Sequence, residues 1–293
     1  MGGRSPKSGK TGGRQTNHSN LNGPFPRMKM FALTLAAIFL PLALPSRNLG
    51  LSTQTTTQTP VEAEIQRQHQ RLSASDPEER RDAVMKLGAM RRASASRQAV
   101  VGLTDASPIV RAVATKAILS LPPEESVAAL LPLVSDKDEF VRREVAYALG
   151  LTHSRQATQP LTNLLLNDKE DGVRAAAAVA LGDIGDESAV VALANVLSPE
   201  SSAGIKAKKR ENNVFVLRAA AKSLGQTRSK AGVPALIAAL ANEKHVDDVR
   251  REAASALGQI GDPAAVPALR SAANSEDPYL SHVAYESLRK IAP

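Results

Sequence analysis

The side chains that could do chemistry in this sequence recur rather than converge. Arginine stands in the same place of five look-alike segments, as Arg80, Arg111, Arg142, Arg174 and Arg250. A guanidinium repeated in this way can bond a carboxylate or a helix-end carbonyl of its own or the next segment, or it can show a row of positive charge to an acidic partner. Asp76, Asp105, Asp136, Asp168 and Asp277 recur at expected helix starts and supply acceptors, which favours a structural ladder. A denser run, Lys206, Lys208, Lys209 and Arg210, falls in the polar stretch 199–213. It reads as a solvated loop, or alternatively as a contact loop for an acidic partner or lipid head groups.

No catalytic, metal or cofactor constellation accompanies these charges. Cysteine is absent, which removes disulfides, thiolate metal sites and cysteine nucleophiles together. The five histidines, His18, His69, His153, His245 and His282, lie far apart with no i,i+4 pair, and no His-Glu dipeptide occurs.

What positions the arginines is a repeat. The segment V-R-x-x-x-A-x-A-L-G occurs as residues 141–150, 173–182 and 249–258, with weaker copies at 79–88, 110–119, 216–225 and 280–289. A fixed period of this length signals a stacked array. Within each copy, Val110, Val141, Val173, Val216 and Val249 share a helical stripe with small or branched residues four and eight positions on. Ala114, Val145, Ala177, Ala220 and Ala253 fill the first of these places, and Ile118, Leu149, Leu181, Leu224 and Leu257 the second. Gly88, Gly150, Gly182, Gly225 and Gly258 come next and are expected to end the helix in a left-handed conformation. A second apolar stretch follows, as at 189–197, 233–240 and 265–272. Asp76-Pro77, Asp262-Pro263 and Asp277-Pro278 read as an N-cap followed by proline at the first helical position.

The expected fold is therefore all-α: an α-solenoid, a right-handed superhelix of stacked antiparallel helix pairs with about 13–14 helices. Low aromatic content and an excess of alanine and leucine agree with helix over strand. The grammar resembles HEAT repeats of the phycobilisome-lyase type, in which D-x-x-V-R-x-x-A-A-x-A-L-G-x-I-G-D leads into a V-P-A-L helix. Residues 248–269 match it almost throughout and 171–186 nearly as well; the resemblance covers about 76–293. It implies a fold more than a function, since that repeat serves many roles.

The net charge of +8 belongs to the tail. Residues 1–61 hold seven basic side chains and no acidic one, so subtracting these from the 37 leaves 30 basic against 29 acidic residues. A near-neutral remainder argues against nucleic acid as a partner. Residues 1–29 read as a basic disordered tail, and 30–46 as a signal peptide or membrane anchor with an apolar run of 15 residues, Met30 to Leu44. Met28 offers an alternative translation start. Residues 47–60 read as a Thr/Gln-rich linker, and 61–293 as the solenoid with an insertion at 199–213.

A protein–protein interaction scaffold or adaptor is thus expected: a monomer outside the cytoplasm, exported or held to the membrane through residues 30–46, with an unidentified protein partner and no cofactor. The alternative is a lyase-like or chaperone factor acting on a cofactor-bearing protein.

Overall fold

The computed structural model describes residues 59–197 and 213–291. The chain divides into Met1–Thr55, which lies outside the described residues, and Thr56–Pro293. The tail, the apolar segment 30–46, most of the linker and nearly all of the insertion also lie outside them, Lys206, Lys208, Lys209 and Arg210 included.

Fourteen α-helices and no strand occur among the described residues. Helix α1 (Pro60–Arg71) opens on a capping box. The Thr59 hydroxyl accepts from the Glu62 N–H at 3.2 Å, while the Glu62 carboxylate accepts from the Thr59 N–H at 2.8 Å. The repeats follow. Their first helices are α2 (Pro77–Ala89), α4 (Pro108–Ala117), α6 (Glu139–Leu151), α8 (Asp171–Ile184), α10 (Val214–Thr227), α12 (Asp247–Ile260) and α14 (Pro278–Ile291). The second helices are α3 (Ala93–Ala99), α5 (Pro123–Leu130), α7 (Thr158–Asn167), α9 (Val190–Leu197), α11 (Val233–Ala241) and α13 (Val266–Ala273). Consecutive first helices pack on one another, and each second helix packs on the first helix that follows it, so two layers of helices share one core. This is the α-solenoid that the repeat dictates.

Sequence explains where the helices start. Asp76 accepts from the Glu78 N–H at 3.0 Å, Asp262 from Ala264 at 2.9 Å and Asp277 from Tyr279 at 3.1 Å, each beside a proline that needs no acceptor. The expected stripe is the core. Val110, Val141, Val216 and Val249 have no exposed surface, nor do the small residues four positions on or the aliphatic residues eight on.

The recurring glycine column behaves differently from expectation. Gly88, Gly150, Gly182, Gly225 and Gly258 are helical, not left-handed, and face the next first helix. A Cβ on Gly150 would stand 2.7 Å from the Ala180 Cα, and one on Gly88 would stand 2.8 Å from the Ala117 Cα. The opposing backbone cannot yield as a flexible side chain could, so glycine is required by contact and not by dihedral angle. The left-handed cap comes three residues later, at Arg91, His153, Gly185, Arg228 and Gly261, with φ between 50° and 74°. Only two of these five are glycine.

Gly150→Ala is expected to force α6 and α8 apart at a cost of about 1–3 kcal/mol, lowering Tm by several degrees for a domain of this size. Gly172→Ala is the control, because its Cβ would meet only the Arg143 Cδ at 3.9 Å. It should leave Tm unchanged or raise it, by about 0.4–1 kcal/mol. Thermal unfolding followed by circular dichroism separates the two; equal behaviour would show that this approach does not limit the packing.

Candidate functional site

The polar chemistry gathers along the edge where each second helix returns to the next first helix. On α4, α6, α8 and α12 arginine directly follows the buried first residue of the stripe and so emerges at this edge, and on α2 Arg80 takes the same place after the exposed Glu79. Two residues before the N-cap of the next first helix stands an aspartate, fixed because its carboxylate accepts a backbone N–H two residues on: Ser107 for Asp105, Asp138 for Asp136 and Glu170 for Asp168, at 2.8–2.9 Å.

Three arginines reach these acceptors in two-pronged pairs. Arg80 donates through Nε and Nη2 to Asp105 at 2.7 and 2.8 Å, Arg111 to Asp136 at 2.8 and 2.8 Å, and Arg142 to Asp168 at 2.7 and 3.0 Å. The remaining Nη1 of each binds carbonyls of the loop before its own helix, including those of Asp105 for Arg111 and Asp136 for Arg142. Asp105 is therefore held by Arg80 at its side chain and by Arg111 at its backbone, and Asp136 likewise by Arg111 and Arg142. One network runs unbroken from Arg80 to Asp168, and its last pair is 8% and 5% exposed.

These bonds set the protonation of the aspartates. The Arg80 guanidinium is the largest influence on the Asp105 carboxyl and holds its pKa below the ordinary value. At Asp136, burial is the largest influence and acts upward. It is outweighed by the Arg111 guanidinium and the Asp138 N–H, and the pKa again lies low.

Arg174 and Arg250 occupy the same sequence place, and among the described residues neither meets an aspartate of the next repeat in a two-pronged pair. Arg174 donates from Nε to the Leu165 carbonyl at 3.1 Å and pairs with Asp171; Arg250 donates from Nε to the Leu240 carbonyl at 3.1 Å and pairs with Asp247 at 3.5 Å. Both turn back to the C-terminal carbonyls of the preceding second helix, which lack intrahelical partners. The cause is in the sequence. The positions 25 and 26 residues ahead are Pro199 and Glu200 for Arg174, and Ser275 and Glu276 for Arg250, without aspartate. The last cross-repeat pair belongs instead to Arg251, which meets Asp277 at 2.8 and 2.9 Å. Sequence reading missed Arg251 because it aligned columns, whereas the acceptor has moved two residues forward, to the N-cap. Its distance ahead, 26 residues as for Arg142 and Asp168, was the signal that could have found it.

One pair is missing on both sides. Leu217 stands where arginine is expected and is buried, and Asn242 stands where its aspartate would be. Asn242 keeps the turn, accepting from the Lys244 N–H at 3.0 Å, without the charge.

Beside Arg250 the edge opens into a groove of about 580 Å³. Arg250, Ser275, Asp247 and Glu276 line it, over a floor that includes Ala268 and Ala272. The histidines remain scattered. His153 sits at a helix–helix turn with Nδ1 2.8 Å from the Asp183 carbonyl, and burial is the largest influence on His245, lowering its pKa. Among the described residues, no group of three His, Cys, Asp or Glu side chains could hold a metal ion, and no helix is long and apolar enough to cross a membrane.

A family model described as HEAT repeats matches three overlapping stretches, residues 96–182, 142–208 and 205–289. Among solved structures, YibA from E. coli is 20% identical and covers 78% of this chain and 81% of its own, with a TM-score of 0.55. The complex of CpcE and CpcF of phycocyanin lyase from Nostoc sp. is 22% identical, with 85% and 94% covered and a TM-score of 0.47. Human deoxyhypusine hydroxylase in complex with glycerol is 24% identical, with 78% and 84% covered and a TM-score of 0.39. The likeness to YibA is one of fold. No curated protein sequence matches the chain.

Asp136→Asn keeps the turn, as Asn242 does, but removes the charge that Arg111 meets. It should cost about 2 kcal/mol, between the ~0–1 of exposed ion pairs and the ~3–5 of fully buried ones. Because the folded pKa of Asp136 is depressed, its stabilisation is fully present above the unfolded value of about 4 and is lost as pH falls through the folded value. The deficit of the variant, measured by urea unfolding, should therefore be full at pH 7 and shrink below about pH 4. A deficit independent of pH would show that the carboxylate charge contributes nothing.

Proposed function

The chain belongs to the HEAT-repeat family, and from that premise we propose that it is a protein–protein interaction scaffold, a monomer that presents the exposed edge of its first helices to a protein partner. One observation carries this reading. Arginine and aromatic side chains sit together on that edge, Arg251 also forming the ladder's last pair and Arg143 and Arg218 standing outside the ladder. Arg143 lies over the Phe140 ring at 4.9 Å and Arg251 over the Tyr279 ring at 5.1 Å, while Phe215 and Arg218 stand one turn apart on α10. Phe215 is 69% and Tyr279 71% exposed. Aromatic rings and guanidinium groups are the side chains that protein interfaces concentrate at their energetic centres. Stacking of repeats spreads them along one extended surface, which suits a partner larger than a small molecule.

We place this scaffold outside the cytoplasm. Support for that is sequence alone: basic residues followed by the apolar run Met30 to Leu44, all outside the described residues.

The test is a crosslinked capture of full-length, C-terminally tagged protein from its native envelope fraction, read by mass spectrometry. A stoichiometric partner is expected, with recovery falling at least tenfold for the double variant Phe215→Ala, Tyr279→Ala while Tm stays unchanged. Absence of any partner in that fraction would sink the scaffold reading. A chromophore or metal retained by the purified protein would point instead to a factor acting on a cofactor-bearing protein.

A further inference from the structure

The two interruptions of the ladder differ in kind. At Leu217 and Asn242 both partners have lost their charge, so nothing is left over. At Arg250 and Ser275 only the acceptor has gone, and the guanidinium remains. Its side chain is 18% exposed, anchored through Nε to the Leu240 carbonyl, and its Nη2 has no protein acceptor among the described residues. Ser275 still forms the turn, accepting from the Asp277 N–H at 3.2 Å as the ladder aspartates accept from theirs. The place of the missing carboxylate is the open groove.

We propose that this groove is a carboxylate subsite that takes an acidic side chain of a protein partner, with Nη2 of Arg250 as donor. The inference rests on the scaffold reading and names the chemistry of one contact. The chain itself shows the ligand class, because Asp105, Asp136 and Asp168 fill the equivalent places. Negative neighbours do not forbid it. Asp277 is paired two-pronged with Arg251, Asp247 makes one long contact of 3.5 Å with Arg250 Nη1, and Glu243 and Glu276 stand exposed to water at the rim. The intact pairs are similarly surrounded. Arg111 feels Asp138 and Asp105 besides Asp136, and Arg142 feels Glu170 and Glu139 besides Asp168, yet both hold their aspartate.

Full-length protein with labelled arginine and alanine would be titrated at low salt with the peptide acetyl-Gly-Asp-Gly-amide and with its Asn and Lys counterparts. Saturable shifts are expected at Arg250 Nε and at the Ala268 and Ala272 methyls with the Asp peptide, and at least tenfold weaker binding of the Asn peptide. Ser275→Asp should restore the pair in cis, raise Tm and abolish the response. Arg250→Gln should abolish it with no rise in Tm, which keeps the test open should the first variant misfold. Equal binding of the Asn peptide, stronger binding of the Lys peptide, or no saturable shift at all would overturn the proposal. Because the titration needs no native partner, its failure leaves the capture result of the scaffold reading standing.

Discussion

The distance between neighbouring first helices governs the rest of the molecule. At five of the junctions it is set by glycine meeting alanine or serine at the end of the stripe, where an added Cβ would fall 2.7–2.9 Å from the opposing Cα or Cβ; the α4–α6 junction has Leu119 there instead. Packing at that range leaves no freedom to slide or splay. The edge ladder then inherits its geometry from the core. A guanidinium can meet both oxygens of a carboxylate at 2.7–3.0 Å only if the next repeat presents it at one height and angle. Core and edge thus restrain the same degree of freedom from opposite sides of the first helix. Two buried hydroxyls, Ser96 bonded to the Ala117 carbonyl and Ser223 to that of Ala178, tie adjacent repeats within the core as well.

Much of this was legible in the sequence, because a repeat states its own rules several times. The stripe of Val, small residue and Leu or Ile specified the buried face in the five copies that begin with Val, since periodicity and burial are the same information in a helix. Proline after aspartate marked helix starts because a missing N–H and a waiting carboxylate are local properties. The role of the glycines was not legible. Helix-end glycine and contact glycine look alike in sequence, and only the neighbour's backbone tells them apart. Three of the five left-handed positions carried Arg91, His153 and Arg228 in place of glycine, so no glycine column marked them. The second helices were harder still. After α3 and α5 the chain tightens into 3₁₀ turns at 100–104 and 131–135, where Gly102 and Pro132 weaken the α geometry.

The ladder was half legible for a related reason. The arginine column could be read by alignment, but a pair exists only where donor and acceptor coincide in space. Arg80, Arg111 and Arg142 find aspartate ahead of them, and Arg174 and Arg250 do not. Arg251 was invisible to column counting because donor and acceptor had both shifted, by one and by two residues. A column of like residues therefore predicts like environment only while its partner column is also intact.

Removing one member of a buried pair strands a charge, whereas exchanging both for neutral residues can cost little. The Leu217 and Asn242 exchange obeys that rule: the buried side of the pair became a core leucine, and the turn side kept its hydrogen bond without its charge. The Arg250 and Ser275 exchange breaks it, and the structure shows the partial remedy, a guanidinium turned back on a helix-end carbonyl and on Asp247 at 3.5 Å. That remedy is weaker than a two-pronged bond, since one contact is to a neutral oxygen and the other is long. In a stacked array each repeat touches only its neighbours, so such a weakness stays local and lowers the stability of one junction without loosening the rest. A stack can therefore carry an incomplete junction that a globular core would transmit everywhere, and the Arg250 edge is where this chain does so.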